Sequence, residues 1–284
     1  MSRVVWLDGR LLREEEAHIS PFDRGLLLGD AVFETMRAYG GRPHALAEHL
    51  ERLRASCAAT RIPYPDGMER VVPDVLRANG IIEGQVRITL TRGPGGRGAS
   101  PRGAGPPTVL VTASPVHHAP EVYEHGLRLV TSRRRRVPDA SIPASVKSTN
   151  YLAHVLARMD AEEVGADDAL FLDEDGFVVE ATQANVFAIL GDELVTPPLA
   201  AGCLPGLTRA QVLALAPEVG LIAHERPLLA ETLFQAREVF LSASVLEVAP
   251  VVELDGVRVG GGKPGPVTKR LHAAYRKRAQ HDTP

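Results

Sequence analysis

Lys147 is the one charged residue in S-V-K-S-T-N-Y-L, and Glu180 opens E-A-T-Q-A-N-V-F directly after an apolar run at 177–179. A lysine amine can form a Schiff base with a carbonyl, and a carboxylate beside a pyridine nitrogen keeps that ring protonated and electron-withdrawing. These are the two groups that pyridoxal phosphate needs most. A chain with 32 Lys and Arg and 35 Asp and Glu offers many such pairs, so the surrounding words must decide. A glycine-bounded turn, G-C-L-P-G, leads into L-T-R-A-Q-V-L-A-L. It puts Leu207 and Thr208 at a helix start, where free N–H groups and a hydroxyl can receive a phosphate or simply cap the helix. Arg92, Arg97 and Arg102 lie in a Gly/Pro loop at 92–107, a place suited to a substrate carboxylate or to plain solvation.

The elements that must position these groups follow from periodicity. V-V-W-L, then D-G, then R-L-L reads as a hairpin at 4–12. Residues 31–39 read as a strand, with Val32, Glu34 and Met36 on one side and Phe33, Thr35 and Arg37 on the other. Charge on both sides fits a face that looks into a site, or a strand with solvated ends. Leu46, Leu50, Leu53 and Cys57 mark a helix over 46–61 that leaves Glu51, Arg52 and Arg54 off the apolar stripe. A second helix follows Asp66, with Pro73 inside it as a possible kink, and ends at Asn79-Gly80. Q-V-R-I-T-L-T at 85–91 and T-V-L-V-T-A at 108–113 are strands.

A Pro-bounded linker near 116–121 divides the chain into a domain over 1–116 and a larger one over 122–284, which carries Lys147. His117 and His118 point opposite ways in an extended linker and make a poor metal pair. The second half adds strands at 126–132, 169–172, 177–180, 185–190, 194–198 and 238–242. It adds helices over 150–163, 207–215, 230–236 and 268–278. In the helix over 150–163, Leu152, Val155, Leu156 and Met159 form the apolar side. The basic run at 133–136 lacks interleaved aromatics and reads as a solvated strand end. Ser242 and Ser244 cluster at the end of the last strand.

Composition narrows the class. The 284 residues, 44% hydrophobic and 24% charged, suit a soluble globular α/β chain with a sizeable core. A net charge of -3 gives no reason to expect nucleic acid or an acidic membrane as partner. Two isolated cysteines exclude a disulfide framework and a cysteine zinc site. The N-terminus has no signal-peptide apolar core and no run is long enough to span a membrane, so the expected location is cytoplasmic.

Together the words resemble the class IV, or fold-type IV, pyridoxal-phosphate aminotransferases. That group includes branched-chain and D-amino-acid aminotransferases and aminodeoxychorismate lyases. Six blocks carry the resemblance, in the family's order. They are D-R-G-L-L-L-G-D-A-V-F-E-T, E-H-L-E-R-L, V-K-S-T-N-Y-L, E-A-T-Q-A-N-V-F, L-P-G-L-T-R and S-A-S-V-L-E-V-A-P-V. The resemblance implies two α/β domains joined by a short linker, with pyridoxal 5'-phosphate in the interdomain cleft. It makes Lys147 the Schiff-base lysine and proton shuttle, and Glu180 the carboxylate facing the pyridine nitrogen. Arg52, Leu207, Thr208 and Ser244 become phosphate ligands, and Tyr151 the tyrosine that touches the ring hydroxyl. Phe33, Thr35, Arg97 and Val245 fall at substrate-facing positions, and no metal is implied. The implied reaction moves an amino group between an amino acid and a 2-keto acid, in a homodimer.

Subfamily signals conflict. K-S-T-N-Y-L resembles branched-chain enzymes, yet the tyrosine often found before G-x-x-x-F-E in them is Leu28, and the glycine after it is Thr35. G-D-A-V-F-E-T and R-G-P-G-G-R-G resemble the lyases and the D-amino-acid enzymes, with Arg97 as the carboxylate arginine but no histidine after it. Branched-chain-like or D-amino-acid transamination, with aminodeoxychorismate lyase as the alternative, is the expectation. A ligand-binding module on the same fold is the reading from another class, and an intact Lys147 and Glu180 argue against it.

Overall fold

The computed structural model describes residues 2–116, 121–136 and 141–281. The chain divides into two compact units. One comprises Met1–His117, Val146–Asn150 and Ala279–Pro284; the other comprises His118–Ser145 and Tyr151–Arg278. His117 and His118 of the expected linker lie outside the described residues. No described helix is long and apolar enough to cross a membrane.

The first unit is built on an antiparallel sheet. Its elements are β1 (Val4–Leu7), β2 (Arg10–Arg13), α1 (Arg24–Leu28), β3 (Ala31–Tyr39), β4 (Arg42–Pro43), α2 (Leu46–Thr60), α3 (Met68–Ala78), β5 (Gly84–Thr91), β6 (Gly95–Arg97), β7 (Ser100–Ala104) and β8 (Val109–Pro115). Six strands pair in the order β2-β1-β8-β5-β3-β4. Asp8 and Gly9 both have positive φ, 45° and 94°, the conformation that a two-residue D-G hairpin needs. Leu50, Leu53 and Cys57 of α2 and Val72, Val75 and Leu76 of α3 pack with Met36, Val86, Ile88 and Val111 of the sheet. The apolar stripe of α2 thus faces the core as its spacing predicts. Pro73 lies inside α3 without ending it.

Two expectations change here. The loop over 92–107 contains a small hairpin, β6 paired with β7. Arg24, buried, holds it by donating to the carbonyls of Gly98, Ala99 and Ser100 at 3.2, 3.2 and 3.0 Å, while its Nε bonds Asp30 at 2.8 Å. Arg92 also serves this corner, bonding Asp30 and the carbonyls of Thr60 and Arg61. The segment carrying Lys147 belongs with the first unit, although the sequence places it after the linker. The reason is backbone pairing: Phe33 N donates to Lys147 O at 2.9 Å, Thr149 N donates to Ala31 O at 3.0 Å, and Val32 bridges Ser148.

The second unit is a mixed sheet with helices. Its elements are α4 (Glu121–His125), β9 (Leu127–Arg135), α5 (Leu152–Glu163), β10 (Asp168–Leu172), β11 (Val178–Ala181), β12 (Asn185–Leu190), β13 (Glu193–Thr196), α6 (Leu207–Leu215), β14 (Ile222–Glu225), α7 (Ala230–Phe234), β15 (Glu238–Ala243), β16 (Glu247–Leu254), β17 (Val257–Arg258) and α8 (Pro266–His281). The main path runs β11-β10-β9-β16-β15-β12-β13-β14, with β17 on β16. Leu129, Leu170, Val186, Val195, Leu233, Leu241 and Val251 form its core. Buried Glu238 caps α8 by accepting from Val267 N, Thr268 N and the Thr268 hydroxyl.

The periodicity of α5 misleads about its inner face. Leu152, Val155 and Met159 are 70%, 51% and 50% exposed, while His154, Ala157 and Ala161 are buried. Ala157 and Ala161 pack on Ala169 and Phe171, so small residues let the helix lie close to the sheet. Strand β16 is a further difference, since the sequence leaves it inside a hydroxyl-rich segment.

If Arg24 is what holds the β6–β7 hairpin, Arg24→Met should open it. Limited trypsin digestion should then cut after Arg97 roughly tenfold faster than in the wild-type chain, because three charge-assisted bonds are lost. An unchanged cleavage rate would show that the hairpin is stable without them.

Candidate active site

In the first unit the candidate residues gather on β3, α2 and the 146–150 segment. Glu34 has no solvent exposure. Its carboxylate accepts from Arg52 Nε at 2.7 Å, Arg52 Nη2 at 2.8 Å and His49 Nδ1 at 2.7 Å. A carboxylate only accepts, so His49 carries its proton on Nδ1. Burial alone would raise the Glu34 carboxyl, but the bonds from Arg52 and His49 win and hold it at about 2. Burial lowers His49, and the nearby Arg52 and Lys147 charges add to that despite the pull of Glu34. The cluster is therefore one anion, one guanidinium and a neutral imidazole. Arg52, off the apolar stripe of α2, is not a solvated side chain: 9% of it is exposed.

Lys147 lies beside this cluster. Its Nζ stands 4.5 Å from the centre of the Phe33 ring, and its backbone N donates to Ser56 Oγ at 3.3 Å. The guanidinium of Arg87 lies 3.7 Å from the same ring. Arg87 is the β5 register partner of Thr35. The structure thus brings Lys147, Phe33, Arg52 and Thr35 into one neighbourhood. Arg97 does not join it as an inward-facing group; it is exposed at the end of β6.

In the second unit Glu180, on β11, is buried. It accepts from Arg136 Nε at 2.8 Å and from the backbone N of Leu204 at 3.0 Å. The basic run reads as solvated, but only Arg133 and Arg135 in it are exposed, and the Arg136 side chain is 15% exposed against Glu180. Alternation along the end of β9 is the signal that could have shown it. Tyr151 stacks on His154 at 4.6 Å.

The start of α6 forms a cradle. Gly206 is its N-cap and so offers no side chain to the first N–H groups, those of Leu207 and Thr208. A Cβ on Gly206 would lie 2.1 Å from Asn185 Oδ1, so only glycine fits. Asn185 Nδ2 fixes the approach by donating to Leu204 O at 2.9 Å. Its register partner on β15 is Ser242, whose hydroxyl is buried with no hydrogen-bond partner among the described residues. Thr208 is buried, 3.4 Å from Tyr275 Oη. Ser244 and Val245 form part of the turn between β15 and β16. The two cysteines are buried, and burial pushes Cys57 up to about 12 and Cys203 up to about 11, the latter helped by Glu180, so neither is a nucleophile.

Glu34→Gln should destabilise the chain at neutral pH by about 3 kcal/mol, because Arg52 and His49 lose a buried anion. The folded Glu34 value of about 2 lies below the ordinary 4.5, so this stabilisation is complete above that ordinary value and drains as pH falls toward 2. Urea unfolding of both chains across pH 7 to 3 checks this. A gap that stays constant over the acid range would contradict it.

Comparison with known proteins shows the family. Residues 31–254 match the model of the class IV amino-transferases. A relative from Methanocaldococcus jannaschii, named for branched-chain-amino-acid aminotransfer, is 39% identical over 275 residues, which are 96% of this chain and 95% of its own. The crystal structure of the Escherichia coli branched-chain amino acid aminotransferase superposes with a TM-score of 0.94 at 31% identity, covering 100% of this chain and 97% of that one. A second branched-chain amino acid aminotransferase, from the organism abbreviated T.th. and complexed with N-(5'-phosphopyridoxyl)-L-glutamate, gives 0.93 at 31% identity, covering 100% and 96%. The fold is that of the fold-type IV aminotransferases, and the chain belongs to the class IV aminotransferase family.

Proposed function

We propose that this chain is a pyridoxal-phosphate-dependent transaminase that moves the amino group of an L-branched-chain amino acid to a 2-keto acid. The observation that carries the reading is Lys147, set over the Phe33 ring and beside the Glu34–Arg52–His49 cluster, in a chain matched along its length by branched-chain aminotransferases. When bound, pyridoxal phosphate supplies an aldehyde for amine exchange and a protonated pyridine ring that draws electrons from the substrate's α-carbon.

The residues fit such a group. The glycine-only cradle at Gly206, the uncapped N–H groups of α6 and the unpartnered Ser242 hydroxyl support a phosphate position on the second unit. Leu207 and Thr208 would hold that phosphate through backbone and hydroxyl, with Ser244 and Arg52 as further ligands. Glu34 would keep the Arg52 fork oriented, and His49, being neutral, adds no charge of its own. Glu180, held by Arg136 and Leu204 N, would set its anion against the ring nitrogen and raise that nitrogen's basicity. Tyr151 would bond the ring hydroxyl. Lys147 would anchor the cofactor covalently, take the α-proton at Nζ once substrate displaces it, and return that proton to complete the transfer. Phe33, Thr35 and Val245 would shape the substrate space.

Relatives named as branched-chain enzymes, one of them holding an L-glutamate adduct, support L-amino acids over D. The exposed Arg97 gives the D-amino-acid and lyase readings no added support. A homodimer is part of the proposal. Exposed Leu26 and Leu27 on α1, and Leu152, Val155 and Met159 on α5, are apolar surface that a second copy would cover.

The visible spectrum of the purified protein tests the reading. A yellow band should bleach with L-leucine and survive D-alanine. Bleaching by D-alanine alone would move the assignment to D-amino acids, and pyruvate release from aminodeoxychorismate would move it to the lyase. A protein that cannot be coloured by pyridoxal phosphate would end it. Glu180→Gln should keep the cofactor and lose at least about 100-fold in turnover; near-normal rates would remove Glu180 from the ring nitrogen.

A further inference from the structure

The turn carrying Ser244 and Val245 is held from outside in an unusual way. Ala243 and Glu247 are the last register pair of the β15–β16 hairpin, leaving Ser244, Val245 and Leu246 as its loop. Glu247 has φ +59°, the left-handed position that closes three-residue hairpins and usually belongs to glycine. A buried glutamate there bears conformational strain, and such outliers persist where the surroundings over-determine them.

Its side chain is what the position uses. Glu247 Oε2 lies 2.6 Å from His272 Nε2 on α8 and 3.6 Å from Arg276 Nε one turn further on. The His272 ring stacks on Tyr123 of α4, with centroids 4.4 Å apart and planes 18° from parallel. The Tyr123 hydroxyl in turn donates to the carbonyl of Leu246, inside the loop, at 3.0 Å. Two helices distant in sequence thus grip Leu246 and Glu247 at the end of one short turn, one through a backbone carbonyl and one through a side chain.

We propose that Tyr123, Glu247 and His272 are positioning residues that fix the Ser244–Val245 turn in the shape needed to receive the cofactor's phosphate. The proposal rests on the reading of Ser244 as a phosphate ligand. None of the three touches the phosphate; they act by holding the loop that does. Freed from them, the loop loses its fixed backbone and the phosphate contact weakens, while the rest of the cofactor is still gripped.

The test titrates the full-length chain, stripped of cofactor, with pyridoxal phosphate and separately with pyridoxal, which lacks the phosphate. Wild type, Tyr123→Phe, His272→Phe, Glu247→Gln and Ser244→Ala are compared. His272→Phe keeps the stack and removes the bond to Glu247; Glu247→Gln keeps a bond to His272 and serves as the conservative control. The preference for pyridoxal phosphate over pyridoxal should fall at least about tenfold in His272→Phe and severalfold in Tyr123→Phe. Affinity for pyridoxal itself should stay within about twofold, and Glu247→Gln should stay near wild type. Ser244→Ala should show the same selective loss, and adding Tyr123→Phe to it should cost little more. If Ser244→Ala loses the preference while Tyr123→Phe and His272→Phe keep it, the clasp is structural only and the proposal is overturned, with the phosphate reading intact. If Ser244→Ala keeps it too, both fall. If His272→Phe does not fold, Tyr123→Phe decides alone.

Discussion

Glu34 is an anion without solvent in the middle of a strand, and the first unit is arranged around the need to pair it. An unpaired buried carboxylate is among the costliest groups a protein can hold. Here α2 answers it twice, with the two-pronged Arg52 and with His49. That pairing fixes the rotation of α2 on the sheet and turns Arg52 inward, although the helix's apolar stripe runs through Leu50, Leu53 and Cys57. It also sets the charge beside Lys147. An ionised Glu34 and a neutral His49 leave Arg52, Lys147 and Arg87 as cations of the neighbourhood, which suits a site for a phosphorylated anion.

The second unit solves the same problem with backbone. Glu180 takes one guanidinium and one peptide N–H, and the N–H comes from the turn that leads into α6. The carboxylate therefore helps to place the helix start. Asn185 completes the link by bonding Leu204 O while its own Oδ1 leaves room for nothing larger than Gly206. Acid, turn and helix N-terminus form one connected object, so their spacing is a property of the fold and not of flexible side chains. The Ser244 turn follows the same logic at longer range, gripped by α4 and α8.

Much of this could be read in the chain. The hairpin, β3, β5, α2, α6 and α8 follow from alternation, helical period and glycine stops, because those signals are local. The six word blocks pointed to the family and so to Lys147 and Glu180. What stayed hidden depends on partners far away in sequence. Arg136 reads as one of four like arginines; only the parallel pairing of β9 with β10, which then carries β11, sets it against Glu180. The Arg-rich loop reads as open because the residue that ties it down, Arg24, lies some seventy positions earlier. In α5 Leu152, Val155 and Met159 face outward because alanines, not leucines, allow the close approach to the sheet, a preference that a hydrophobicity pattern ranks the wrong way round.

The sequence by itself determined most of the element types and the family to which the chain belongs. Those are carried by short words whose physics acts over a few residues. Only the tertiary structure decided which charge answers which: Arg52 and His49 on Glu34, Arg136 on Glu180, His272 on a strained Glu247. It also decided that Lys147, sequentially in the second half, sits against β3 of the first unit. The reason is common to all of them. A buried charge is stable only where a partner is delivered to within hydrogen-bond distance, and that delivery depends on how strands and helices pair across the whole chain.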